Sequence, residues 1–159
     1  MPADLRVRIH EAGHAVVAAR LGFQIATVST VADGRSAGRI VLSQHPAGNK
    51  STIAFWSKAI VLAAGTEAEW FILRTADRQG SVADREELAR ICRHLESAGH
   101  SRLDSHDLQR KARGAARQLV HRHAGRIVHV AHRLAEASHM TGTELARLGA
   151  VPAATGQPC

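Results

Sequence analysis

His10-Glu11-Ala12-Gly13-His14 places two imidazoles four residues apart, with a carboxylate directly after the first. On a helix, residues four apart are offset by about 40° and rise about 6 Å, so both rings can reach one cation. Zinc takes histidine nitrogens at roughly 2.0–2.1 Å and, in catalytic sites, keeps one position for water. Glu11 projects beside such a metal, where it can accept a proton from water and deliver it to a leaving amine. The competing reading is coincidence, because a chain with 11 histidines reaches this spacing by chance more easily than most.

Catalytic zinc needs a third protein ligand. Neither cysteine supplies one, since Cys92 and Cys159 are far apart and belong to no CxxC pair. The carboxylates Asp84, Glu67, Glu69, Glu86 and Glu87 compete for the position. Asp84 also has a structural reading: Ser81-Val82-Ala83-Asp84 fits a helix capping box, with the aspartate favoured by the helix dipole.

These residues need helices to position them. The first helix is expected from about Asp4, a candidate cap, to Leu21, with Gly22 as its stop. IATVSTV and GRIVLS are rich in β-branched residues and flank the turn-forming ADGRSAG, which predicts a hairpin from about Ile25 to Ser43. GNKS, at residues 48–51, lacks the Gly-Lys pair of a phosphate-binding loop and reads as a loop ending in a cap at Ser51. A core helix follows over about Thr52–Arg74, apolar on most sides, whose Ala63, Ala64 and Gly65 admit close approach of another helix. A third helix is expected over Ser81–Ala98 and a long one over Asp104–His139, which Gly114 and Gly125 could bend. Thr141-Gly142-Thr143-Glu144 is a capping box for a short last helix. The fold class is mainly α with a small hairpin or short sheet: one domain over residues 1–149, then a disordered tail over 150–159.

RIHEAGHAVVAARLG resembles the active-site helix of the zinc peptidase domain in the FtsH family of membrane-anchored AAA-type proteases. The likeness continues in order through VSTVADGRSAGRIVLSQ, LAAGTEAEW, QGSVADREELAR and TGTELARL. It implies the helical fold of that domain and zinc held by His10, His14 and Asp84, the aspartate four residues after Gly80. It also implies that Glu11 is the catalytic base, and it matches Gly65 and Glu69 to a glycine and a glutamate of the family's core helix. Glu69 is a candidate partner for a ligand imidazole. The likeness covers only the peptidase half of such proteins. With no ATPase module, P-loop or membrane anchor in these residues, the expected activity is ATP-independent cleavage of flexible or unfolded polypeptide. A separate partner protein or ATPase is the alternative means of presenting substrate. The strand near Gly38–Ser43 could align an extended substrate by backbone pairing.

Composition frames the alternatives. Hydrophobic residues make up 45% and aromatics only 3%, so the core must be built from Ala, Val, Leu and Ile. The net charge of +7 and a sequence pI near 10.9 bring anionic partners into view. Arg110, Arg113 and Arg117, with Arg122, Arg126 and Arg133, could bind phosphates. They read instead as the solvated face of an amphipathic helix, because base-stacking aromatics are scarce and no recognition motif is present. A regulatory metal-binding domain that has lost catalysis is a third reading, against which the intact Glu11 argues. His121, His123, His129, His132 and His139 read as surface histidines, and Cys92 as a buried small apolar residue. No signal peptide or membrane-length apolar run is seen, and the expectation is a soluble, cytoplasmic protein. Oligomeric state and side-chain preference have no sequence signal.

Overall fold

The computed structural model describes residues 4–32, 37–77 and 81–149. The sequence expectations for Gly80, for most of the hairpin turn and for the tail over 150–159 lie outside the described residues.

The protein is mainly helical with a small antiparallel sheet. Helix α1 (Leu5–Arg20) begins where the Asp4 carboxylate accepts the Arg6 amide proton, and it ends at Leu21. Gly22 then turns the chain with φ 91°. Strands β1 (Gln24–Ser29) and β2 (Arg39–Gln44) form the expected hairpin. Asn49 ties the following loop by accepting from the His45 amide and donating to the Ser43 carbonyl. The Ser51 hydroxyl caps helix α2 (Thr52–Ala68) by accepting from the Ala54 amide. That is the capping role expected of GNKS.

The core helix does not remain α-helical to its end. Glu69–Leu73 winds as a π-helix and closes on Arg74 in the left-handed region, with φ 59°. Such wider turns re-aim side chains and recur at functional sites. Helix α3 (Val82–Ser97) and the long α4 (Ser105–Ala137, capped by Asp104) follow. α4 kinks at His123, where φ is −114° and ψ 17°. The kink lies two residues before Gly125, whose poor helix propensity weakens that turn; Gly114 continues the helix unbroken.

Strand β3 (His139–Thr141) is an element the sequence did not signal. It pairs antiparallel with β1, giving the order β2-β1-β3. Its three residues are too few to show an alternating pattern, and pairing with an existing strand is what makes them a strand. Thr141 and Glu144 complete the capping box that opens α5 (Gly142–Arg147).

Helices α1, α2 and α4 pack mutually, with α3 against α2 and α4. Side chains such as Ile9, Val16, Val17, Ile91, Ile127 and Leu134 fill the space between them. At the α1–α2 crossing the backbones approach unusually closely. A Cβ on Gly13 would stand 2.7 Å from Ala68 Cβ and 2.9 Å from the Ala64 carbonyl oxygen. The glycine inside HEAGH is therefore a packing residue, and the approach it allows brings both histidines onto the α2 surface at Gly65.

Candidate metal centre

The middle of α1 is buried along its whole circumference, from Ile9 to Ala19. Three of those residues are polar: His10, Glu11 and His14 are 9%, 6% and 3% exposed. Burying such groups is costly unless each finds a partner, so their partners define the site.

His14 Nδ1 lies 2.7 Å from the Val61 carbonyl oxygen. A carbonyl only accepts, so Nδ1 carries the proton and donates it, leaving the Nε2 lone pair free. His10 Nδ1 donates in the same way to Glu69 Oε1 at 2.6 Å. The two Nε2 atoms face each other at 2.9 Å, and Asp84 Oδ2 completes a triangle, 3.0 Å from His10 Nε2 and 3.1 Å from His14 Nε2. Three electron-pair donors at this separation repel unless a cation or a shared proton lies among them. This donor set could hold a metal ion, and among the described residues no other group of three such side chains does so.

Helix α2 leaves room for it. A Cβ on Gly65 would stand 2.6 Å from both Nε2 atoms, within the space the rings occupy. Gly65 is therefore the floor of the site, and any larger residue would push the imidazoles apart.

Without a metal, the site's own charges divide one proton. Burial works to lower the His10 pKa, but hydrogen bonds to Asp84 and Glu69 and the charges of Glu11 and Asp84 outweigh it, raising the value to about 10. Burial likewise works to raise Asp84, yet the His14 charge and the hydrogen bonds from both rings hold it well below the usual carboxylate range. Glu11 moves the other way. Burial raises it, and the nearby Asp84 charge adds to that, against the lowering effect of His14 and His10. A carboxylate shifted in this direction holds a proton more readily than an exposed one.

The capping reading of Asp84 does not describe what the segment does. Ser81 stands at the N-cap of α3, but its hydroxyl donates back to the Asp77 carbonyl at 2.9 Å and caps no helix amide. Asp84, in the first turn, reaches across to the histidines of α1. The competing carboxylates are engaged elsewhere or exposed. Glu67 accepts from Arg117 at 2.9 Å, Glu87 from Lys58 and Arg90, and Glu86 faces solvent.

Glu69 holds the His10 ring, and it does more than that. Its Oε2 accepts the Asp77 amide at 2.8 Å, while Asp77 pairs with Arg6 at 2.8 Å. One carboxylate thus connects a ligand imidazole, the N-terminal turn of α1 and the segment leading to Asp84. The roles of Arg6, Asp77 and the Val61 carbonyl were not visible in the sequence. A backbone carbonyl has no residue-type signal, and the Arg6–Asp77 pair spans 71 positions.

The centre opens into a cleft of about 510 Å³. Val7, Ile40, Leu42, Val61 and Leu62 give it apolar walls, and Lys58 stands among them. Strand β2 borders the cleft and, among the described residues, pairs within the sheet only with β1.

The other candidates do not assemble a site. Cys92 is fully buried, and burial raises its thiol pKa, so it is a core residue. On α4, Arg117 pairs with Glu67, Arg110 with Asp107 and Arg133 with Glu136. No described helix is long and apolar enough to cross a membrane. Scanned against models of known protein families the chain matches none, and it matches no curated protein.

Proposed function

We propose that this protein is a zinc-dependent endopeptidase that hydrolyses flexible or unfolded polypeptide, with His10, His14 and Asp84 as metal ligands and Glu11 as general base. The observation that carries the reading is the triangle of two Nε2 atoms and Asp84 Oδ2, with edges of 2.9–3.1 Å, beside a buried carboxylate and open to a cleft. Nitrogen and oxygen donors from three residues suit zinc and leave a coordination position for chemistry, whereas structural zinc sites are closed by four protein ligands.

Bound there, zinc supplies Lewis acidity for a water molecule and a peptide carbonyl. The chain does the rest. Glu69 and the Val61 carbonyl fix both ring tautomers, so the Nε2 lone pairs point inward. Glu11 holds the proton taken from water at its carboxylate and returns it to the departing amine. The free edge of β2 offers backbone groups to an extended chain, which favours unfolded substrates over compact ones. The sequence resemblance to the FtsH peptidase domain supports the same assignment. In that reading, tightly folded proteins need a separate unfolding partner.

The deciding experiment combines metal analysis with proteolysis. Purified protein should contain about one zinc per chain and degrade a denatured protein substrate without ATP. Glu11→Gln should keep the zinc and lose activity by about 10²-fold or more. Zinc retained in an inactive wild type would overturn the peptidase reading in favour of a regulatory metal-binding domain. Salt-sensitive nucleic-acid binding by a protein that takes up no zinc would overturn the metal reading as well.

A further inference from the structure

Among the described residues, Glu11 is the member of the site that no hydrogen bond fixes. His10 is held through Glu69, His14 through the Val61 carbonyl, and Asp84 through both imidazoles. Glu11 feels the charges of His14, His10 and Asp84 but accepts no hydrogen bond from any described residue. A long side chain with a buried carboxylate needs some constraint to stay in one rotamer.

Gly38 lies against that side chain. A Cβ built there would stand 2.6 Å from Glu11 Cγ, 2.6 Å from Oε1 and 2.7 Å from Cδ. Carbon atoms in van der Waals contact are about 3.5–4.0 Å apart, so the two residues touch only because Gly38 has no side chain. Both backbones adjoin regular structure. Glu11 lies in the buried middle of α1, and Gly38 directly precedes Arg39, which pairs with Ser29 on the central strand. The soft part of the contact is the Glu11 side chain, so an added methyl would displace the carboxylate before it moved helix or strand.

We propose that Gly38 is a positioning residue: its bare Cα is the wall that sets the Glu11 carboxylate against the His10, His14 and Asp84 group. The residue that leads into the strand bordering the cleft thereby also places the base. The kinetic consequence rests on the peptidase reading; the contact itself does not.

The test is Gly38→Ala, read by metal content, steady-state kinetics on a denatured protein substrate, and crystal structures of the zinc-loaded wild type and variant. The expected variant keeps its zinc and its KM within about twofold, loses kcat by about 10²-fold, and shows Glu11 moved by about 1 Å or more with the three ligands in place. An unmoved Glu11 with kcat within about threefold of wild type overturns the proposal. So does a loss confined to KM or to zinc content, which would make Gly38 a groove or folding residue. If Gly38→Ala alone does not fold, Glu11→Ala/Gly38→Ala removes every atom the new methyl meets and should fold and bind zinc. A double variant as unfolded as the single one overturns the contact. A wild type that binds zinc and hydrolyses nothing removes the peptidase reading, and the crystal structures still decide whether Gly38 places Glu11.

Discussion

Glu69 accepts a hydrogen bond from His10 Nδ1 at 2.6 Å from inside a π-helical turn, and the residue is only 2% exposed. The two residues are 59 positions apart, and neither helix could orient the ring alone. An outer partner of this kind fixes the tautomer and raises the basicity of the ligating nitrogen. Glu69→Ala should lower zinc affinity by about 10–100-fold while leaving all three ligands in place. Competition against a chromophoric chelator measures it, and an unchanged affinity would mean that His10 is held in some other way.

Asp84→Ala separates ligand from cap. The Ser81 hydroxyl donates to Asp77 and caps no amide of α3, so little capping energy is at stake. A lost cap would cost only about 1 kcal/mol of stability and would leave metal binding intact. Loss of a ligand should weaken zinc by more than about 100-fold, beyond the range of an outer partner. Calorimetry with zinc and a denaturation curve on the same sample distinguish the two.

Gly65→Ala carries a prediction of sign. In an ordinary helix interior, replacing glycine by alanine stabilises by roughly 0.5–1 kcal/mol. Here the new Cβ would stand 2.6 Å from both Nε2 atoms. The substitution should therefore destabilise, by about 1–3 kcal/mol, and abolish zinc uptake. A higher melting temperature with zinc retained would show that the imidazoles do not sit over Gly65.

The metal-free site should show a distinctive pH dependence. His10 is raised from its ordinary 6.5 to about 10, so its contribution to stability is full below 6.5 and lost as pH rises through about 10. Asp84 is depressed below its ordinary 3.8, so its contribution is present above that value and lost as pH falls. Zinc must displace the His10 proton, so its binding strengthens with rising pH. The melting temperature of chelator-treated protein should fall between about pH 6.5 and pH 9, while the extra stability conferred by zinc grows over the same interval. Thermal melts with and without chelator across that range test both slopes, and parallel curves would contradict a site shared between proton and metal.

Local rules carried the helices. Asp4, Ser51 and Thr141 cap α1, α2 and α5 as their side-chain chemistry dictates, because a cap is satisfied within three residues of chain. The hairpin was legible for the same reason, since β-branched runs around a turn need no distant partner. The exceptions depend on distant contacts. β3 exists because β1 has a free edge, and the last turns of the core helix wind as a π-helix where Glu69 reaches both His10 and Asp77. At the centre, helical spacing alone put His10, Glu11 and His14 on one segment. Gly65 was legible as a point of close helix approach, but the surroundings of Gly13 and Gly38 were hidden, because a residue without a side chain reveals its purpose only through what stands where a Cβ would be.

The sequence by itself determined the mainly helical fold and two imidazoles at metal-binding spacing, because both follow from patterns a few residues long. Residue chemistry alone left Asp84, Glu67, Glu69, Glu86 and Glu87 open as the third donor, since all present the same carboxylate chemistry, and only the family resemblance pointed to Asp84. Tertiary structure brings Asp84 to the two Nε2 atoms, in a group that could hold a metal ion. The close crossing at Gly13 lays the histidines over Gly65, the first turn of α3 delivers Asp84 to within 3.0–3.1 Å of both rings, and Glu69 is committed to the opposite ring nitrogen of His10. The assignment is a matter of distances between segments some 70 residues apart, which only the packed helices bring together.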